Sequence, residues 1–119
     1  MNNRLVIYFF FDPQGIVDDY NLVLLRDMMK NCRDLLVVSN GKLSAEGKKK
    51  FEELTDQILE RENKGFDVWA YREAMFSLGW EKLQQYDEVI LMNYTIMGPV
   101  FPFSEMFGSM DARPELDFW

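Results

Sequence analysis

An α/β fold, a three-layer α/β/α sandwich on a mainly parallel sheet, is predicted by three features of this sequence. Short apolar runs that end in turn residues alternate with longer segments of helical periodicity. The apolar runs are hydrophobic throughout rather than at every second position, as strands are when both faces are covered. Each return to the sheet then requires a crossover, and the handedness of such crossovers favours a doubly wound arrangement.

The elements follow in order. Arg4 to Phe11 is a nearly continuous apolar and aromatic run that stops at Asp12, Pro13, Gln14 and Gly15, a strong turn signal. From Asp18 to Asn31, Tyr20, Val23, Leu24 and Met28 recur at helical spacing, with Leu25 and Met29 beside them. Leu35 to Val38 is a second strand, closed by Ser39, Asn40 and Gly41. Ser44 caps a helix over Ala45 to Asp56 with Phe51 and Leu54 inward, and a brief strand follows at Gln57 to Glu60. Glu62 to Gly65 is a polar loop, after which Asp67 caps a helix to Leu78 with Val68, Tyr71, Met75 and Leu78 on its inner stripe and Gly79 as its stop. Glu88 to Asn93 is the fourth strand, Ser104 starts a short helix through Ser109, and Leu116 to Trp119 reads as the start of a further strand.

At 119 residues and 48% hydrophobic content the chain suits one domain, 1–119, and the expectation is that it forms part of a longer protein. No apolar run approaches the roughly 20 residues of a membrane span, and no signal-peptide pattern opens the chain, which reads as cytoplasmic. A net charge of −7 argues against nucleic acid as a partner, since neutralising phosphates needs a basic surface. With no histidine, Ser-His-Asp and Cys-His catalysis are excluded, and Cys32 reads as a buried, inert thiol.

In a doubly wound sheet, ligands bind beyond the carboxyl ends of the strands. The loops Asp12 to Gly15, Ser39 to Gly41, Glu62 to Asp67 and Asn93 to Gly98 should converge there. Asp12, Ser39 and Asn40 are candidates to hydrogen-bond a base or ribose. Asn63 carries both donors and an acceptor, and Gly65 lets a ligand approach the backbone at a helix start. The same residue types also serve turns for conformational reasons alone. Phosphate-binding loops with a lysine, and the three-glycine dinucleotide fingerprint, are both missing. Phe101, Phe103, Phe107 and Trp119 read as core or as cover for an interface at an exposed C-terminal edge, in preference to a sugar-stacking surface.

Four ordered blocks carry a resemblance: Gly15-Ile16-Val17-Asp18-Asp19-Tyr20, Val37-Val38-Ser39-Asn40-Gly41, Arg61-Glu62-Asn63-Lys64-Gly65-Phe66-Asp67, and Ile90-Leu91-Met92-Asn93 followed by Gly98-Pro99. From about Arg4 to Trp119 the chain resembles the rhamnan synthesis protein F family, which is associated with bacterial rhamnose-containing cell-wall and surface polysaccharides and is similar to GT-A glycosyltransferases. The resemblance implies the nucleotide-binding half of that fold. It further implies a nucleoside-diphosphate sugar donor such as dTDP-rhamnose, for which the strand-end residues Asp12, Ser39, Asn40, Asn63, Gly65 and Asn93 are the candidate binding residues. A lipid-linked glycan acceptor would be engaged through another region, at the inner face of the cytoplasmic membrane. Asn63 to Gly65 resembles the Asn-x-Gly element of related sugar transferases. Asn93-Tyr94-Thr95 falls at the Asp-x-Asp position, where a magnesium or manganese ion would be held, yet it has no carboxylate. A hard dication would meet only neutral oxygens, which argues against a metal; cationic side chains or helix N–H groups could stabilise a diphosphate instead, with Lys64 and Arg72 near in sequence but read in preference as ordinary surface residues. The missing acid also supports an alternative, a non-catalytic binding or assembly module that keeps the fold.

Overall fold

The computed structural model describes residues 2–119. Four parallel strands form one sheet in the order β3-β2-β1-β4, with β1 at Arg4–Phe11, β2 at Asp34–Asn40, β3 at Ile58–Arg61 and β4 at Glu88–Asn93. Helices α1 (Asp19–Met29), α2 (Ala45–Glu52), α3 (Phe66–Leu78), α4 (Trp80–Leu83) and α5 (Phe103–Asp111) connect and cover them. Among the described residues no helix is long and apolar enough to cross a membrane.

β1 is central, paired with β2 on one side and β4 on the other, so its side chains are shared between two cores. Val6, Tyr8 and Phe10 pack with Leu24, Leu25 and Met28 of α1, Phe51 of α2 and Phe107 of α5. Leu5, Ile7 and Phe9 turn to the opposite face and meet Ala70 and Ala74 of α3. This alternation explains why the first run is apolar at every position: both faces of the strand are covered. The three-layer α/β/α prediction therefore holds, with α1, α2 and α5 on one face and α3 and α4 on the other.

Several local details differ from the sequence reading. Val23 and Val68 lie outside, not on the inner stripes. α1 instead buries Asn21, whose side chain donates to the Tyr8 hydroxyl (2.9 Å) and accepts from the Asp18 amide (3.1 Å). α3 meets the sheet through Ala70 and Ala74, two small residues one turn apart that permit close approach to Phe9, and its larger side chains lie to either side. α2 ends at Glu52 rather than Asp56, α5 opens at Phe103, and the third strand reaches Arg61. Gly65, with φ of +74°, occupies the position before α3, so Asp67 lies inside the helix's first turn and does not cap it.

Leu116 to Trp119 forms no strand. Trp119 instead places its ring edge-on to Phe107, 5.7 Å between centroids. Arg4 anchors α5 to the sheet: its buried guanidinium donates to Glu88 (3.1 Å) and Asp111 and lies 4.3 Å over the Phe107 ring. Such a cation is tolerable inside because charge-assisted bonds and a ring face replace its water.

Candidate functional site

The parallel arrangement brings the carboxyl ends of all four strands to one edge. Along the chain, the crossovers from β1 run outward to β2 and β3, then back past β1 to β4, so the winding direction reverses between β1 and β4. At such a reversal adjacent loops part and leave a crevice. A cleft of about 470 Å³ lies there, lined by Phe9 and Phe11 from β1, Asn93, Tyr94 and Thr95 from β4, and Asn63, Phe66 and Asp67 from the entrance to α3.

Its polar rim is cross-linked. Asn93 donates to the Asp67 carboxylate (3.1 Å) and accepts from the Thr95 amide (3.1 Å), tying the β4 loop to the first turn of α3. Asn63 accepts from the Asn40 amide group at 3.3 Å, and the same group reaches the Phe66 carbonyl at 3.4 Å. Asn40 is buried at the end of β2 and accepts from Arg61 at the end of β3. Arg61, 6% exposed, also donates from Nε to Glu73 (2.6 Å) and from Nη2 to the Lys64 carbonyl (3.0 Å). One guanidinium thereby fixes β2, the β3–α3 loop and the second turn of α3 in mutual register. The hydrogen bond from Arg61 holds the Glu73 carboxyl below the usual carboxylate range, opposed by partial desolvation and aided by the Arg61 and Arg72 charges.

The floor is aromatic. Tyr94 stands edge-on to Phe9 (5.5 Å) and Phe10 (5.8 Å), and Tyr71 stands edge-on to Phe9 (6.3 Å). Burial, with a smaller contribution from the Asp67 charge, pushes the Tyr71 hydroxyl up to about 12, so it remains protonated beside the cleft. Phe66 has φ of +56°, a left-handed conformation that costs a bulky residue of order 1–3 kcal/mol. Its ring stands 84% exposed at the cleft.

The six candidate residues divide into two sets. Asn63 and Asn93 line the cleft, Gly65 sets the turn that presents Phe66 and Asp67, and Asn40 supports Asn63 from beneath. Asp12 and Ser39 are engaged locally. The Asp12 carboxylate accepts from the amides of Gln14 and Ile16, both at 2.9 Å, and the Ser39 hydroxyl donates to the Gly41 carbonyl at 2.9 Å. Gly15, at φ of +69°, brings that first loop against the backbone of Lys42 to Ser44, where a side chain would collide. Neither cationic candidate lines the cleft: Lys64 pairs with Glu62 (3.1 Å), and Arg72 lies over the rings of Trp69 and Phe76.

Asp67, Phe66 and Tyr94 line the cleft and Arg61 braces it, and the sequence reading selected none of the four. Asp67 and Phe66 fall within the Arg61 to Asp67 block, and that clustering was the available signal. Arg61 meets Glu73 12 positions on, Asp67 meets Asn93 26 positions on, and Tyr94 meets Phe9 and Phe10 from the far end of the chain, which no local pattern reveals. As for a divalent ion, the cleft lining offers a single carboxylate, Asp67, and one of its oxygens already accepts from Asn93. The remaining oxygens are amide and hydroxyl groups. This donor set does not fit a magnesium or manganese diphosphate centre, which relies on carboxylate oxygens.

Comparison with known proteins adds one finding. No curated protein and no solved structure matches the chain. The family model described as rhamnan synthesis protein F matches residues 35–119, well over half of the chain. The matched span takes in β2 through α5 and so contains the Asn40, Asn63, Asp67 and Asn93 network, while β1 and the Gly15 to Tyr20 block precede it. The chain belongs to the rhamnan synthesis protein F family.

Proposed function

We propose that this domain binds the donor of a glycosyl transfer in rhamnan synthesis, a nucleoside-diphosphate sugar such as dTDP-rhamnose. The carrying observation is the cleft between β1 and β4, where Asn63, Asp67 and Asn93 converge above an aromatic floor. Amide groups suit the donor and acceptor edges of a pyrimidine, a carboxylate suits ribose hydroxyls, and rings suit the flat faces of base and sugar. With no basic side chain in the lining, the cleft suits the nucleoside or sugar end, and the diphosphate would lie outside it. The acceptor would be a lipid-linked glycan, engaged elsewhere.

Titration with dTDP-rhamnose, dTDP and free rhamnose, followed by amide NMR shifts, tests this reading. Saturable shifts at Asn63, Asp67 and Asn93 with both nucleotides, lost in Asn93→Ala, are expected. An unperturbed cleft at millimolar nucleotide would refute it.

A second reading is a binding or assembly module without transfer chemistry. It is favoured by Tyr94, whose ring is packed into the Phe9 and Phe10 cluster at the position where a metal-binding acid would be needed. Under that reading the nucleotide shifts would be seen without any hydrolysis or transfer.

A further inference from the structure

The two edges of the sheet are finished differently. β3, at one edge, is four residues long and ends in Glu60 and Arg61, and a short charged strand is a poor template for pairing. β4, at the other edge, runs for six residues and carries neither charge nor proline from Val89 to Asn93. Its register fixes which backbone groups are free. The amides of Glu88 and Tyr94 donate to the carbonyls of Asn3 and Phe9, so the even-numbered residues face β1. Alternate residues of a strand face opposite ways, which turns the N–H and C=O groups of Val89 and Leu91 outward, where no strand meets them among the described residues.

The side chains beside this row are apolar on both faces of the sheet. Val89 and Leu91 stand in register with Leu5 and Ile7, on the side that α3 covers over β1, yet they remain 38% and 49% exposed. On the other side Ile90 and Met92 lead into a cavity of about 430 Å³ whose wall also includes Met106, Phe107 and Phe118. The same wall carries Asp87, Glu88 and Asp117 and no cationic residue. Glu88 is paired with Arg4, whereas Asp87 and Asp117 make no ion pair among the described residues.

We infer that β4 is a strand-accepting edge, which takes an extended segment of a partner polypeptide, rich in branched apolar residues and bearing a lysine or arginine at the end that meets Asp87 and Asp117. Each feature specifies part of this occupant. Outward backbone groups two residues apart are satisfied together by another strand, whose own groups repeat with the same spacing. Apolar side chains on both faces of the edge suit branched apolar neighbours. Carboxylates without a cation suit a basic end and repel an acidic one. A second copy of this chain is a poorer fit. Antiparallel self-pairing centred on Leu91 sets Tyr94 and Thr95 opposite Glu88 and Asp87, so no carboxylate gains a cation, and it joins two chains of net charge −7. Val89 and Leu91 lie outside the cleft lining, so an added strand requires nothing of the donor site.

Amide hydrogen exchange on the 119-residue chain gives the test, with a blocked peptide of valine and isoleucine spaced by threonine, carrying two lysines at one end and made in both chain directions. Bound peptide should slow exchange at Val89 and Leu91 by about tenfold at millimolar concentration and leave Ile90 and Met92, already bonded to β1, unchanged. Replacing the lysines by glutamates should weaken binding about threefold to fivefold. Two controls remove the strand pairing from either side. Methylating the peptide's backbone nitrogens should abolish protection on the unaltered protein, and so should Leu91→Pro, which deletes an outward N–H and no bond to β1. Val89 and Leu91 amides that stay unprotected would overturn the inference. So would equal binding of the glutamate peptide, protection that persists with the methylated peptide, or a dimer that protects the same amides without any peptide.

Discussion

Replacing Arg61 by methionine keeps much of the buried stem but removes the guanidinium hydrogen bonds that link β2 to α3 beneath the cleft. Three acceptors lose their donor: the Asn40 side-chain oxygen, the Glu73 carboxylate and the Lys64 carbonyl. They do not matter equally. Glu73 is part-exposed and regains water, and the Lys64 carbonyl is at the surface, whereas Asn40 is buried and its oxygen is stranded. An unpaired buried acceptor costs about 1–3 kcal/mol, so a loss of about 2 kcal/mol is expected, or a fall in Tm of roughly 8 °C for a domain of this size. Urea denaturation of Arg61→Met and Glu73→Gln separates the contributions: Arg61→Met should cost several times more. The pH dependence has a defined sign. Because Arg61 depresses the Glu73 carboxyl in the folded protein, the pair's share of stability is present above the unfolded carboxylate pKa. It drains as pH falls through the lower folded value, and Arg61→Met should flatten that acid limb. A loss below about 0.5 kcal/mol, or a Glu73→Gln cost equal to that of Arg61→Met, would refute the reasoning.

Gly65→Ala should destabilise the domain by about 2 kcal/mol, because φ of +74° disfavours any side chain and the new methyl would press on Trp69; denaturation and the Trp69 indole shift report both effects. Unchanged stability would mean that the turn before α3 is not held as described. Tyr8 predicts an alkaline transition. Burial raises its hydroxyl to about 12, partly offset by the hydrogen bond from Asn21, while the unfolded chain ionises near its ordinary value of 10.0. Stability is therefore intact below about pH 10 and falls as pH rises toward 12, by on the order of 2 kcal/mol from this residue. In denaturation curves recorded from pH 9 to 12, Tyr8→Phe should show a shallower decline, and a parallel decline would count against a buried phenol.

Sequence alone determined the order of the four strands and of the helices α1, α2, α3 and α5, the parallel sheet, and the edge at which the loops meet. Each of these rests on local information: an uninterrupted apolar run such as Arg4 to Phe11 demands two covered faces, and Ser39 to Gly41 or Glu62 to Gly65 must turn the chain. The positions of Asn63 and Asn93 in the strand-end cleft were legible for the same reason, since polar residues directly after strands fall at that edge of the sheet. Tertiary structure decided which groups meet and which side of a helix is inside. Asn93 finds Asp67, and Asn40 finds Arg61, only after the crossovers have been wound. Periodicity assigned Val68 to the inner stripe of α3. The sheet selected Ala70 and Ala74, because close packing against Phe9 favours small residues over larger apolar ones. Trp119 carries a strand-like pattern yet packs edge-on against Phe107, since the same hydrophobic surface can be buried by a ring contact as well as by a ladder. Local pattern sets what each segment can form, and long-range packing sets what it touches.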